Sequence, residues 1–145
     1  MALGFNKWFK IAAALKPAAA EVVRDEAFFV ADAIKEQIAA NGQISAGEEG
    51  YPGGFMHDSV YASTTEKSTY GEGVGPPKDS YRLPEVKPEN DQQGTFGVAA
   101  NYGIFQNYGT RYLPARPFFE PGMERGSAQF DVYMATMEAR IKARI

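Results

Sequence analysis

Few side chains in this sequence could do chemistry, and their spacing limits what that chemistry would be. His57 and Asp58 are neighbours, the pairing of a base with a carboxylate that orients it. No activated nucleophile accompanies them: there is no cysteine and no Gly-x-Ser-x-Gly. The pair therefore reads as a hydrogen-bonded loop histidine and its neighbour. Gly71-Glu72-Gly73-Val74-Gly75 has the glycine density of a phosphate-cradling loop. Pro76 and Pro77 follow where a helix would have to begin, and no lysine stands at the required offset. Glu85, Glu89 and Asp91 offer three carboxylates without the alternating spacing and distal Glu of a calcium loop, so they read as a solvated loop. His57 is the single histidine, which excludes a two-His zinc motif, and the lack of cysteine excludes disulfides and zinc–thiolate sites. The sequence thus assigns no catalytic, cofactor-binding or metal-ligating residue, and the expectation is a protein that is not an enzyme and uses no cofactor.

The densest chemical feature is aromatic. Phe96, Tyr102, Phe105, Tyr108, Tyr112, Phe118 and Phe119 fall within 24 residues, with Arg111 and Arg116 interleaved. Stacking rings beside arginines can form a platform for single-stranded nucleic acid. The same residue types are enriched at the centres of protein interfaces. Fifteen basic against 18 acidic residues leave a net charge of −3, which opposes a polyanion and favours core plus protein interface.

These residues need elements to position them. Val23, Ala27, Val30, Ile34 and Ile38 recur with a helical period, and Gly42 suits the C-cap, so a helical segment is expected over about 5–40. Pro17 removes a backbone donor and clashes with the preceding turn, which favours a short helix (5–15) handing over to a second (18–40) rather than one kinked helix. Lys7, Lys10 and the apolar run from Ile11 imitate a leader peptide. Lys16 and Pro17 cut that run short of the ~7–15 residues an h-region needs, and a helix start is the expectation. The longest uncharged run, Gln92–Thr110, holds four glycines, three glutamines and two asparagines, too polar to span a bilayer.

Glycines and Pro52 between 47 and 54 mark a loop, and Ser59–Thr65 has strand composition. Residues 66–93 carry three glycines and four prolines and read as an irregular arm, with Ser80–Leu83 as a possible hairpin strand. A second strand is expected at Thr95–Ala100, then a short aromatic segment, Tyr102–Tyr108. Pro114 and Pro117 frame an extended link. Residues 120–144 read as helix. Met123, Ser127, Phe130, Met134, Met137, Ile141 and Ile145 form its apolar stripe, expected to be buried on the sheet, and its charges complement the helix dipole. The near-heptad spacing also suits a coiled-coil seam of about three heptads. The whole is an α+β domain spanning 1–145: a long N-terminal helical segment, a small antiparallel β-sheet with an extended arm at about 66–93, and a C-terminal helix packed on the sheet.

Two blocks resemble a known family. Tyr102-Gly103-Ile104-Phe105-Gln106-Asn107-Tyr108-Gly109-Thr110, followed by Leu113-Pro114-Ala115-Arg116-Pro117-Phe118-Phe119-Glu120-Pro121-Gly122-Met123, is similar to the signature of the tail-completion (head–tail connector, or neck) family of long-tailed bacteriophages. That pattern runs Tyr-x-x-x-x-Glu-aromatic-Gly-Thr, then Pro-Ala-Arg-Pro-Phe-x-x-Pro-Ala. A weaker element, Thr-Gly-x-Leu-Arg-x-Ser-Ile, is matched in order and position by Gly53–Val60. The likeness does not extend to 66–93. Asn107 stands where the family has an acid, Gly53 where it has threonine, and Gly122 where it has alanine.

The resemblance implies a structural protein of the virion neck or proximal tail, assembled in the host cytoplasm. Such subunits commonly form homo-oligomeric rings, often hexamers, that join the head connector to the tail tube. Their partners are copies of the same chain and neighbouring neck, connector, tail-terminator or tail-tube proteins, with DNA only passing through the lumen and no membrane involved. A tail terminator or a head-completion stopper is the nearest alternative, and a small hydrolase or a single-stranded nucleic-acid binder is the alternative of another class. The expected interface comprises Tyr102, Phe105, Tyr108, Gly109, Thr110, Arg111, Pro114, Arg116, Pro117, Phe118 and Phe119. Within it, Gly109 is expected at a positive φ or a close backbone approach. Pro114 and Pro117 are expected to stiffen the chain and aim Phe118 and Phe119. Arg116 is expected on a carboxylate or on backbone carbonyls.

Overall fold

A computed structural model describes the backbone of residues 5–47 and 50–145 and the side chains of 14–47 and 50–145. The leader-like side chains Lys7 to Ala13 lie outside the described side chains. The chain runs α1 (Phe5–Ala40), α2 (Phe55–Ser59), β1 (Val60–Ser63), β2 (Thr95–Val98), α3 (Gly103–Tyr108), α4 (Phe119–Ala135) and α5 (Met137–Lys142). The arrangement is α+β, as the sequence indicates: a long N-terminal helix, a two-stranded antiparallel sheet and a C-terminal helix against them. No described helix is long and apolar enough to cross a membrane.

α1 is one helix through Pro17, not two. Tertiary contacts override the proline here. Ala14, Ala18 and Val22 are buried on either side of it, and Gln92 Nε2 donates to Lys16 O at 3.0 Å. Further along, Ala27, Val30, Ile34 and Ile38 are buried as the periodicity predicts, joined by Phe55, Val60, Ala62, Ala100 and Phe118 in one core. Phe118 and Ile34 are almost wholly removed from water; each burial stabilises the fold by roughly 1.5–3 kcal/mol.

The sheet register pairs Val60 with Val98, Tyr61 with Gly97, Ala62 with Phe96 and Ser63 with Thr95. Both strands are shorter than expected. His57 and Asp58, expected in a loop, occupy the short helix α2. The 66–93 segment holds no regular strand, but it lies against the body. Leu83 N donates to Ala99 O at 2.7 Å and Asn101 N to Tyr81 O at 3.2 Å, continuing the sheet by a single bridge at Arg82. Asp58 clamps the segment too, accepting Val74 N–H at 2.9 Å. At Gly73 (φ +81°) a Cβ would sit 2.6 Å from Asp58 Oδ2. Glu85, Glu89 and Asp91 diverge: Glu85 accepts from Ser63 and Ser68, Asp91 from Thr65, and Glu89 N donates to Gln93.

The C-terminal helix breaks at Thr136, whose hydroxyl donates to Tyr133 O at 2.6 Å and accepts from Arg140 Nε at 2.7 Å. Such side-chain bonds compete with the helical ladder. Arg140 then bonds Glu21 at 3.2 Å and Asp25 at 2.8 Å, fastening α5 to α1. The methionine stripe is not the buried face. Met123 (43%), Phe130 (40%) and Met134 (45%) remain exposed. α4 does meet the sheet through Phe119, whose ring lies 5.8 Å from that of Phe96. Its buried positions, however, are Gly122 and Gly126. Four residues apart, they share one face and let α4 approach α1 so closely that a Cβ on either would collide with Ile34 or Val30.

Candidate interaction surface

The block 102–119 is a frame with an exposed tip. α3 ends at Gly109 (φ 78°, ψ 174°), a region open essentially to glycine alone. Here both expected reasons for glycine hold, since a Cβ would lie 2.6 Å from Ala115 N. Thr110 closes the turn beyond it. Its N–H donates to Leu113 O at 2.7 Å, and its hydroxyl accepts from Tyr112 N (3.2 Å) and Leu113 N (3.1 Å). The tip therefore returns to its own base, and Arg111 and Tyr112 project from it.

The extended link between the two prolines is pinned to the end of α1. Gln43 Nε2 donates to Arg116 O at 3.1 Å, and Asn41 Nδ2 to Pro117 O at 2.8 Å. Arg116 N–H donates to Gln106 O at 3.2 Å. The Arg116 guanidinium takes the carbonyl option, with Nη1 donating to Asn41 O at 3.2 Å. No ion pair joins it among the described residues. Asn41 and Gln43 flank Gly42, and nothing in their spacing signals a clamp on residues more than seventy positions away.

Asn107 ties α3 to α4. It is 3% exposed. Its Oδ1 accepts from Phe118 N (2.9 Å) and Phe119 N (3.0 Å), while Nδ2 donates to Glu120 Oε2 at 3.0 Å. α4 has no side-chain cap of its own, because Phe118 stands at the N-cap. Asn107 supplies that cap from another helix, satisfying two of the orphan donors of a helix start. The Tyr108 hydroxyl and the Asn107 amide hold the Glu120 carboxyl below its ordinary range, and the same carboxylate pushes the Tyr108 hydroxyl up.

The expected interface residues thus separate. Phe118 is core, 1% exposed, because the proline link aims it under α1. It is not available at a surface. Phe119 and Tyr102 are half-buried; Tyr102 packs on Phe55 at 6.2 Å, and burial raises its hydroxyl pKa. Gly109, Thr110, Pro114, Arg116 and Pro117 build the frame. Phe105 (53%), Tyr108 (64%) and Tyr112 (87%) are outward, joined by Ile104 (60%). Beside them lies a cleft of about 380 Å³ walled by Leu83, Val98, Ile104, Tyr108 and Phe119. Ile104 and Leu83 lie outside the aromatic pattern that marks the block in the sequence. Their signal was apolar side chains in segments too short to bury them.

The other candidate chemistry is structural. His57 Nδ1 and Asp58 Oδ1 are 2.9 Å apart. Burial works against the Asp58 charge, but the His57 and Val74 hydrogen bonds hold its carboxyl below the ordinary range. Both oxygens of Asp58 are therefore engaged in holding α2 and the arm. Among the described residues no group of three acidic, His or Cys side chains is gathered for a metal. No protein-family model, curated protein or solved structure matches the chain.

Proposed function

We propose that the chain is a non-enzymatic structural subunit of a long-tailed phage virion, a tail-completion or neck ring protein joining head connector to tail tube. The observation that carries this reading is the set of exposed apolar side chains, Ile104, Phe105 and Tyr108 on α3 and Tyr112 on the tip, held on a hydrogen-bonded frame. Large apolar side chains clustered in solvent mark binding surfaces. A frame fixed before binding lowers the ordering cost of association. The apolar cleft beside the cluster extends the surface that another chain would cover.

The departures from the family pattern have local causes that leave the reading intact. Gly53 has φ +83°, with Ala46 C 2.7 Å from where a Cβ would be, so this loop has no place for the family's threonine. Gly122 lies against Ile34, so the family's alanine would force α4 outward. At Asn107 the amide feeds a carboxylate at 120, a donation the family's acid could make only when protonated.

The test uses exposed residues, so that loss of function is not loss of fold. Phe105→Ala with Tyr112→Ala should retain the wild-type melting temperature. Phage carrying these changes should accumulate filled heads beside finished tails, unjoined, in electron micrographs. Tails of uncontrolled length would point to a terminator instead. Normal yields of infectious particles would refute the role given to this surface.

A further inference from the structure

A second surface, the groove between α1 and α4, carries the charge opposite to that of the tip. Glu26 stands in a groove of about 240 Å³ between α1 and α4, walled by Val30, Phe96, Met123, Ser127 and Phe130. One of its oxygens, Oε2, is buried without a hydrogen-bond partner among the described residues. A buried acceptor without a donor is costly, and in native structures calls for an explanation. Burial pushes this carboxyl above its ordinary pKa, the expected response of a charge that lacks a cation. Met123 and Phe130 over the groove are left in solvent.

Arg111 is the complement. Every other described arginine bonds a carboxylate or a backbone carbonyl. Among the described residues Arg111 has only the ring of Tyr112, 5.6 Å from its guanidinium carbon. No hydrogen bond or ion pair joins the two groups within one chain among the described residues. The 116–117 link is pinned at Asn41, and about 22 Å of helix, at 1.5 Å per residue, separates Asn41 from Glu26. The turn at Thr110 and the approach of Gly109 to Ala115 keep the tip at that end.

We propose that the Arg111–Tyr112 tip of one copy seats in the Glu26 groove of a second copy, guanidinium on carboxylate and tyrosine ring against Met123 and Phe130. The inference rests on the reading of this chain as a ring subunit and names the contact between neighbours. Tip and groove are different patches, so the contact is head-to-tail and propagates until a ring closes. The charged pair sets register, and the apolar walls exclude water from it.

Sedimentation velocity on the full chain over a range of concentrations tests this. The wild type should self-associate. Arg111→Glu and Glu26→Arg should each weaken association by about tenfold or more, and the charge-swapped double variant should recover most of it. Tyr112→Ser, at an 87% exposed side chain, should weaken it with an unchanged melting curve. A wild type that stays monomeric at millimolar concentration, or a double variant no better than the singles, overturns the contact. Association that ignores all these substitutions overturns it as well, yet leaves the ring reading standing. That reading fails separately, if particles lacking the exposed aromatics still join heads to tails.

Discussion

Asn107 uses its amide on both sides of a junction: two backbone N–H groups at the start of α4 and the Glu120 carboxylate. Asn107→Leu keeps the volume but strands those groups, and should lower stability by about 2–4 kcal/mol in urea unfolding. Asn107→Asp is the sharper experiment. It keeps the acceptor for the two N–H groups but puts a second carboxylate against Glu120. In the folded state one of the pair then binds a proton more readily than in the unfolded chain, so the variant gains stability relative to wild type as pH falls. Wild-type Glu120 runs the other way. Its folded pKa is depressed, so its contribution is present above its ordinary value of 4.5 and is lost as pH falls through the folded value. The deficit of Asn107→Asp should be about 1–2 kcal/mol at pH 7 and narrow by pH 5. A deficit that widens would contradict the pairing. The sequence marks Asn107 only as a departure from a pattern. Capping logic looks for a polar side chain at the N-cap itself, and there the chain has Phe118, so a cap lent by another helix could not be read.

At the scale of elements, α4 shows why apolarity and burial part company. The sequence offers two adjacent faces, one of methionines and phenylalanine, one of Gly122 and Gly126. Hydrophobic periodicity selects the first; close packing against Ile34 and Val30 uses the second. Gly126→Ala decides between two effects. Helix propensity favours alanine by about 1 kcal/mol, whereas overpacking costs about 1–3 kcal/mol or more. With Val30 Cγ2 in the way, packing should win, with a net loss of about 1–2 kcal/mol in urea unfolding. Gly75→Ala, where nothing lies within 4 Å, should stay within about 0.5 kcal/mol of wild type. Equal stability of the Gly126 and Gly75 variants would contradict the helix spacing. The stripe on α1 was legible from Ala27 to Ile38, because large β-branched residues there have a core on more than one side. The continuity through Pro17 and the break at Thr136 were not. Both depend on partners distant in sequence: Gln92 at the first, Glu21 and Asp25 at the second.

For the whole molecule, the α+β class and the run of long helix, two strands and C-terminal helix followed from periodicity and composition, whereas the short helix α2 did not. The course of 66–93 did not, since its anchors are scattered hydrogen bonds to residues distant in sequence: Val74 N–H to Asp58, Val86 N–H to the Tyr61 hydroxyl at 3.0 Å, Leu83 N–H to Ala99 O. They fold the segment back on its own body. The rim of the 102–119 frame and, near the middle of α1, the groove at Glu26 offer surface to other chains. Under the proposed function this rim binds other virion chains. Electron cryomicroscopy of the neck of assembled particles tests it most directly. Phe105, Tyr108 and Tyr112 should be covered by another protein chain, with the Asn107 and Arg116 bonds intact behind them. A neck in which those three rings face bulk water, with no other chain in reach, would contradict it.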